Sequence, residues 1–146
     1  MTDCEDMDCI FCEKPKKNDD KKELIIYRGQ KAFALLNIYP YNNGHIMVAP
    51  YKHTGELAEL TKEEYGEMNK IVKMYVARIK KTMNPHGFNV GMNIGKVAGA
   101  GFDEHLHTHI VPRWRGDTNF MPVVGKEKVI SESLNSVYKK LKISNT

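Results

Sequence analysis

The segment His105-Leu106-His107-Thr108-His109-Ile110-Val111 constrains this chain more than any other stretch. On an extended backbone successive side chains point to opposite faces, with alternate Cα atoms about 7 Å apart. Three imidazoles would therefore share one face of a strand, while Leu106 and Ile110 point into a core. A lone strand histidine is usually structural, but three of the chain's six within five residues are hard to explain by packing. Two chemistries fit the pattern. Three imidazoles can hold a metal with an open position for water, a hydrolytic centre. Alternatively, one neutral imidazole attacks phosphorus directly, a role suited to an unperturbed pKa near 6.5. Geometry at this level leaves both open.

The flanking pattern indicates an antiparallel α+β sheet of about five strands with two helices. ELIIYR and KAFALLNI read as strands joined in a hairpin across Arg28-Gly29-Gln30, and HIMVAP as a third, closed by Pro50. Thr61-Lys62-Glu63-Glu64 is a capping box that opens the clearest helix, with Leu60 and Tyr65 spaced for a hydrophobic staple. Met68, Ile71, Val72, Tyr75, Ile79 and Met83 form its apolar stripe, and Asn84-Pro85 ends it. FNVGMNIG is predicted as a strand with Phe88, Val90, Met92 and Ile94 on one face. Its other face carries only Asn89, Gly91, Asn93 and Gly95. Such a face is either a ligand floor or a solvent-exposed edge. KVAGAGFDE is a loop, HLHTHIVPRW a strand closed by Pro112, and Ile130, Leu134, Val137, Tyr138 and Leu141 mark a C-terminal helix.

A length of 146 residues accommodates one globular unit: an N-terminal segment, 1–22, followed by a main domain, 23–146. The net charge of +4 comes from lysines interleaved with acids, so no nucleic-acid-binding stripe is expected. No apolar run is long enough to span a bilayer, and the N-terminus lacks the pattern of a signal peptide. These features predict a cytoplasmic protein without membrane partners. Cys4, Cys9 and Cys12 are too few and too clustered for a disulfide framework. Cys9-Ile10-Phe11-Cys12 is a CxxC pair, so metal binding or redox work are its options.

HLHTHIV resembles the HφHφHφφ signature (φ hydrophobic) of the histidine-triad, or HIT, superfamily, with Thr108 a mild departure. GHIMVAPYKH is similar to that family's Gly-His segment, CIFC to the N-terminal knuckle of many members, and PRWRGDTNFMPV to the branch of the diadenosine tetraphosphate phosphorylases. The resemblance covers about residues 9–125 in the expected order. It implies a HIT-like fold and His107 as the nucleophile, with His109 beside the reacting phosphate and His45 in the network behind. It further implies Asn37 at the ribose and Asn93 on the phosphate side, where the loop of Ala98, Gly99, Ala100 and Gly101 could offer backbone N–H groups. Many HIT hydrolases carry Gln and Ser before the triad, where this chain has Gly101-Phe102-Asp103-Glu104.

Zinc-bearing relatives imply a structural zinc held by Cys9, Cys12, His53 and His105, with no organic cofactor. A homodimer is also implied. The implied activity is transfer of a nucleotidyl group from a dinucleoside polyphosphate through nucleotidyl-histidine, with inorganic phosphate as acceptor. The alternatives are a hydrolase of dinucleoside polyphosphates or nucleoside phosphoramidates, and a non-enzymatic nucleotide-binding zinc module. Arg113 and Trp114 could engage base or phosphate, although a packing role for Trp114 is the simpler reading.

Overall fold

The computed structural model describes residues 9–38, 43–100, 104–117 and 133–144. Its centre is a five-stranded antiparallel sheet in the order β1-β2-β3-β5-β4. The strands are β1 (Ile25–Arg28), β2 (Ala32–Leu36), β3 (Ile46–Pro50), β4 (Gly87–Met92) and β5 (Thr108–Arg113). Two single-turn helices, α1 (Ile10–Glu13) and α2 (Asp20–Glu23), precede the sheet; α3 (Lys62–Thr82) and α4 (Leu134–Leu141) are the longer ones. Both longer helices coincide with predicted ones, although Ile130 lies outside the described residues. No helix among the described residues is long and apolar enough to cross a membrane.

The sheet separates two cores. Ile26, Ala34, Leu36, Ile46, Val48 and Ile110 meet the α3 stripe of Met68, Ile71, Tyr75 and Ile79 and the α4 residues Val137, Tyr138 and Leu141. On the opposite face Ile25, Phe33, Leu35, Met47 and Ala49 meet Cys9, Phe11 and Cys12. Because both faces are covered, every residue of β2 and β3 is buried. That is why these strands read as continuous apolar runs instead of alternating ones. The β1–β2 register slips between Ile25 and Tyr27, and Ile26 and Tyr27 both pack toward the helix side.

Local chemistry sets the element ends. Glu64 N–H donates to Thr61 Oγ1 (3.0 Å) and Thr61 N–H to Glu64 Oε1 (2.8 Å), the predicted capping box. The suggested staple partner Tyr65 remains 44% exposed. Asn84, at φ +54°, turns the chain out of α3 in the left-handed region, which asparagine tolerates better than most residues. The buried Tyr75 hydroxyl lies 3.0 Å from Ile26 O and 2.7 Å from Leu141 O, stapling α4 and β1 to α3.

The β4 strand departs from expectation. It ends at Met92, so Asn93, Ile94 and Gly95 lie beyond it. Phe88 and Met92 pack against the helix-side core, but Val90 and Ile94 are nearly half exposed. The physical reason is lateral: α3 lies chiefly over β2, β3 and β5, and β4, on the flank, is covered only in part. The lysine-rich stretch after the knuckle forms a 3-10 turn and α2. Arg28 ties it to β1 by donating to Pro15 O (2.9 Å), Lys17 O (3.2 Å) and Asp20.

Candidate functional site

The strand carrying the triad begins at Thr108, so His105 and His107 lie on the segment entering β5 and only His109 lies within it. Leu106 and Ile110 are buried as expected. Leu106 N–H donates to Thr54 O (2.8 Å), pulling this segment against the loop that carries His53. All three imidazoles still collect on the sheet face opposite α3. His107 and His109 lie with ring centroids 4.8 Å apart, and His105 packs edge-on to His53 at 5.1 Å.

His107 is 7% exposed, and its Nδ1–H donates to the carbonyl of His105 (2.9 Å). A carbonyl can only accept, and a neutral imidazole has one N–H, so Nε2 of His107 carries a lone pair. Burial holds the ring below the ordinary histidine pKa, with the His105 carbonyl acting in the opposite direction. A neutral ring with an unprotonated Nε2 is the form a nucleophile requires.

His45 and Asn37 are brought together by the backbone, because Asn37 N–H donates to His45 O (2.9 Å) just past the β2–β3 pairing. Asn37 Nδ2 then faces His45 Nδ1 at 3.1 Å, and His45 Nε2 faces His109 Nδ1 at 2.9 Å. With the amide nitrogen donating, His45 carries its proton on Nε2 and donates it to His109 Nδ1. His109 is then left with its N–H on Nε2. Burial, and then mutual repulsion among these imidazoles, pushes His45 and His109 down to about 4. Across the sheet His109 pairs with Gly91, where an added Cβ would meet nothing within 4 Å. On the β4 side of His109 the space above Gly91 is thus open among the described residues.

The second constellation joins parts of the chain far apart in sequence. His53 Nδ1 and His105 Nδ1 are 3.1 Å apart; Cys9 Sγ lies 3.4 Å from His105 Nδ1, and Cys12 Sγ 3.3 Å from His53 Nδ1. The four donor atoms lie within 4.8 Å of one another and all four residues are buried. His105 Nε2–H donates to Pro50 O (2.8 Å), so its Nδ1 lone pair is aimed into the cluster. Tetrahedral bonds of about 2.0 Å to nitrogen and 2.3 Å to sulfur require donor separations of roughly 3.3 to 3.8 Å. The donor set fits a metal ion of that kind. Cys9 is a free thiol, whereas Cys12 is disulfide-bonded and would have to be reduced to act as a thiolate.

Other expected contacts are arranged differently. Asn37 is committed to His45. Asn93 is exposed and lies beside Gly99, whose added Cβ would sit 3.8 Å from Asn93 Nδ2. Ala98 and Ala100 N–H both donate to Gly95 O, and Gly99 N–H to Lys96 O. These three groups close their own turn, so they form no ready phosphate cradle; Gly101 lies outside the described residues. Arg113 is occupied by Asp117 (2.9 and 2.6 Å) and Asn89 (2.6 Å), so it braces the turn after β5. The Asn-Phe-Met-Pro-Val segment, 119–123, also lies outside the described residues. Sequence reasoning did not single out Phe11, whose ring stacks on His107 with centroids 4.5 Å apart and planes 29° from parallel. The available signal was its place between two cysteines expected to dock on the triad.

Known proteins agree with this geometry. A family model for the HIT domain matches residues 18–116. The AP-4-A phosphorylase of Mycobacterium tuberculosis is 46% identical over 124 residues, which cover 85% of this chain and 63% of that protein. The chain thus matches less than two thirds of that relative's length. An adenosine 5'-monophosphoramidase of Schizosaccharomyces pombe is 32% identical over 107 residues, 73% of this chain and 75% of that protein. A hypothetical histidine triad nucleotide-binding protein of Sulfolobus tokodaii has a similar structure. Its TM-score is 0.70 at 29% identity, covering 91% of this chain and 89% of that one. The histidine strand read from the sequence, the sheet that displays it and the family match over most of the chain converge: this protein belongs to the HIT domain family.

Proposed function

We propose that the protein transfers a nucleotidyl group from a dinucleoside polyphosphate, such as diadenosine tetraphosphate, to inorganic phosphate by way of His107. The observation that carries this reading is the hydrogen bond from His107 Nδ1 to the His105 carbonyl, which leaves Nε2 unprotonated. Similarity to the AP-4-A phosphorylase supports the choice of substrate and acceptor. Nε2 forms a bond to the α-phosphorus while the bridging P–O bond breaks, expelling ATP and leaving adenylyl-His107. His109, with its N–H on Nε2, donates to a phosphate oxygen as charge accumulates there. Phosphate then attacks the α-phosphorus, the P–N bond breaks, and ADP leaves. Asn93 supports the phosphate side from beyond β4.

A second reading makes water the acceptor, giving AMP in place of ADP; similarity to the phosphoramidase supports it. Incubation with diadenosine tetraphosphate, with and without phosphate, separates the two. ADP plus ATP formed only with phosphate is expected, whereas AMP plus ATP would establish the hydrolase. An acid-labile adenylyl-enzyme should form in the native chain and be absent in His107→Ala. Nucleotide binding without products would instead indicate a non-enzymatic module.

Cys9, Cys12, His53 and His105 would hold a structural zinc, a closed site that supplies no water for the reaction. Its thiolates suit a reducing compartment such as the cytoplasm. We further assign a homodimer built on β4. Among the described residues its outer edge pairs with no strand, and Val90, Ile94 and Val97 are exposed beside it. Val90→Lys should convert the dimer to monomer in light scattering; a dimer retained at the same concentration would discard this interface.

A further inference from the structure

Phe11 connects the two-cysteine knuckle to the imidazole at the centre of the triad. It is 1% exposed and lies in α1, where Cys12 and Glu13 N–H both donate to Cys9 O. That turn directs the ring inward between the two cysteines. The ring is stacked on His107, and it also touches His105 at 5.3 Å with the planes 39° apart. Phe33, Leu35 and Met47 belong to the same buried cluster.

The geometry matters because one hydrogen bond does not immobilise an imidazole. The bond from Nδ1 to the His105 carbonyl fixes one edge of the ring, but rotation about the terminal side-chain torsion is broad for histidine. A stacked aromatic ring restrains the remaining tilt, and misplacement of a reacting atom by about 1 Å can cost 10²-fold in rate. We propose that Phe11 is a positioning residue for His107: seating of the Cys9–Cys12 knuckle sets the plane of the nucleophilic ring through this stack. The proposal rests on His107 being the nucleophile, and it concerns a residue that touches no substrate.

The first test is read on the native chain. In the native chain the carbon-bound protons of the His107 ring, assigned by their absence in His107→Asn, should resonate upfield of ordinary histidine positions because they lie over the Phe11 face. In Phe11→Leu they should return toward ordinary positions. That variant should also lose kcat by roughly two- to ten-fold, the equivalent of an aromatic pair, with KM unchanged and bound metal retained. Ordinary His107 shifts in the native chain would overturn the proposal, as would a native kcat in Phe11→Leu or an effect confined to KM. Should Phe11→Leu fail to fold, the native-chain spectrum decides the matter alone. Absence of an adenylyl-enzyme in the native chain would defeat the functional reading instead, and the ring shifts would still report whether the stack exists.

Discussion

Asn37→Asp reverses the direction of the proton chain behind the triad, with consequences that can be worked through atom by atom. In the native chain the amide donates to His45 Nδ1, His45 donates to His109, and His109 keeps its N–H on Nε2. A carboxylate accepts only. His45 must then donate from Nδ1, its Nε2 becomes an acceptor, and His109 has to donate from Nδ1. The hydrogen that would face phosphate is lost. Removing one well-placed donor of this kind costs about 10²-fold in kcat. Burial holds His45 at about 4 in the native chain. An adjacent carboxylate raises such a group by about 1 to 3 pH units, to roughly 5 to 7. Below that range His45 is an imidazolium that donates from both nitrogens, and the Nε2–H of His109 is restored. Asn37→Asp should therefore lose kcat at pH 8 and regain much of it as pH falls through about 6. Measuring kcat and KM for diadenosine tetraphosphate from pH 5 to 8.5 against the native chain tests this. A rise in KM at every pH with kcat intact would return Asn37 to the ribose contact implied by family resemblance. A kcat loss that does not recover on acidification would refute the proton chain.

Cys9→Ala should abolish zinc binding measured by elemental analysis under reducing conditions and lower the melting temperature, while His107→Ala keeps the metal; zinc lost in both would make the triad itself the metal site. Gly29→Ala should destabilise the β1–β2 turn by about 1 to 3 kcal/mol in urea unfolding. A Cβ there would collide with Glu67 Oε2 and lie 2.8 Å from Ala32 O, displacing a carboxylate that accepts the N–H groups of Lys31 (2.9 Å) and Ala32 (3.1 Å). An unchanged unfolding midpoint would show that the turn relaxes freely. Asp20 is held below its ordinary pKa, chiefly by the Arg28 hydrogen bond. Its contribution is therefore present above about pH 4 and lost as pH falls through the lower folded value. Asp20→Asn should cost about 1 kcal/mol at pH 7 and progressively less as acid titrates the native carboxylate; a loss that does not shrink on acidification would point to packing in place of charge.

The sequence was most informative where the physics is local. The capping box at Thr61 and Glu64, the α3 stripe and the period-two histidines each depend on neighbours a few residues away, and the helix and the triad face could be read directly. The fully buried β2 and β3 could be read as strands, but not as the middle of the sheet, because burial on both faces comes from α3 on one side and the knuckle on the other. Val90 shows the converse: alternation indicated an apolar face, but the lateral position of α3 leaves Val90 half exposed while Phe88 and Met92 on the same face pack against the core. Asn37 was assigned by resemblance to ribose, since nothing in a linear sequence shows its amide meeting His45 across the β2–β3 pairing. The AGAG loop suggested free backbone donors, but the N–H groups of Ala98, Gly99 and Ala100 are used in closing their own turn. Phe11 was overlooked because its importance depends on a docking partner nearly a hundred residues away.

That separation has a bearing on how the protein is made. Cys9 and His105 meet across 96 residues. At about 5 to 20 residues per second, ribosomal synthesis takes roughly 5 to 20 s to span that interval. The knuckle leaves the ribosome well before His105 and cannot be seated on it until that segment has been made. Throughout that delay its thiols have neither their histidine partners nor the shelter of the sheet, and the nascent chain depends on its surroundings to keep them reduced until the centre of the site arrives.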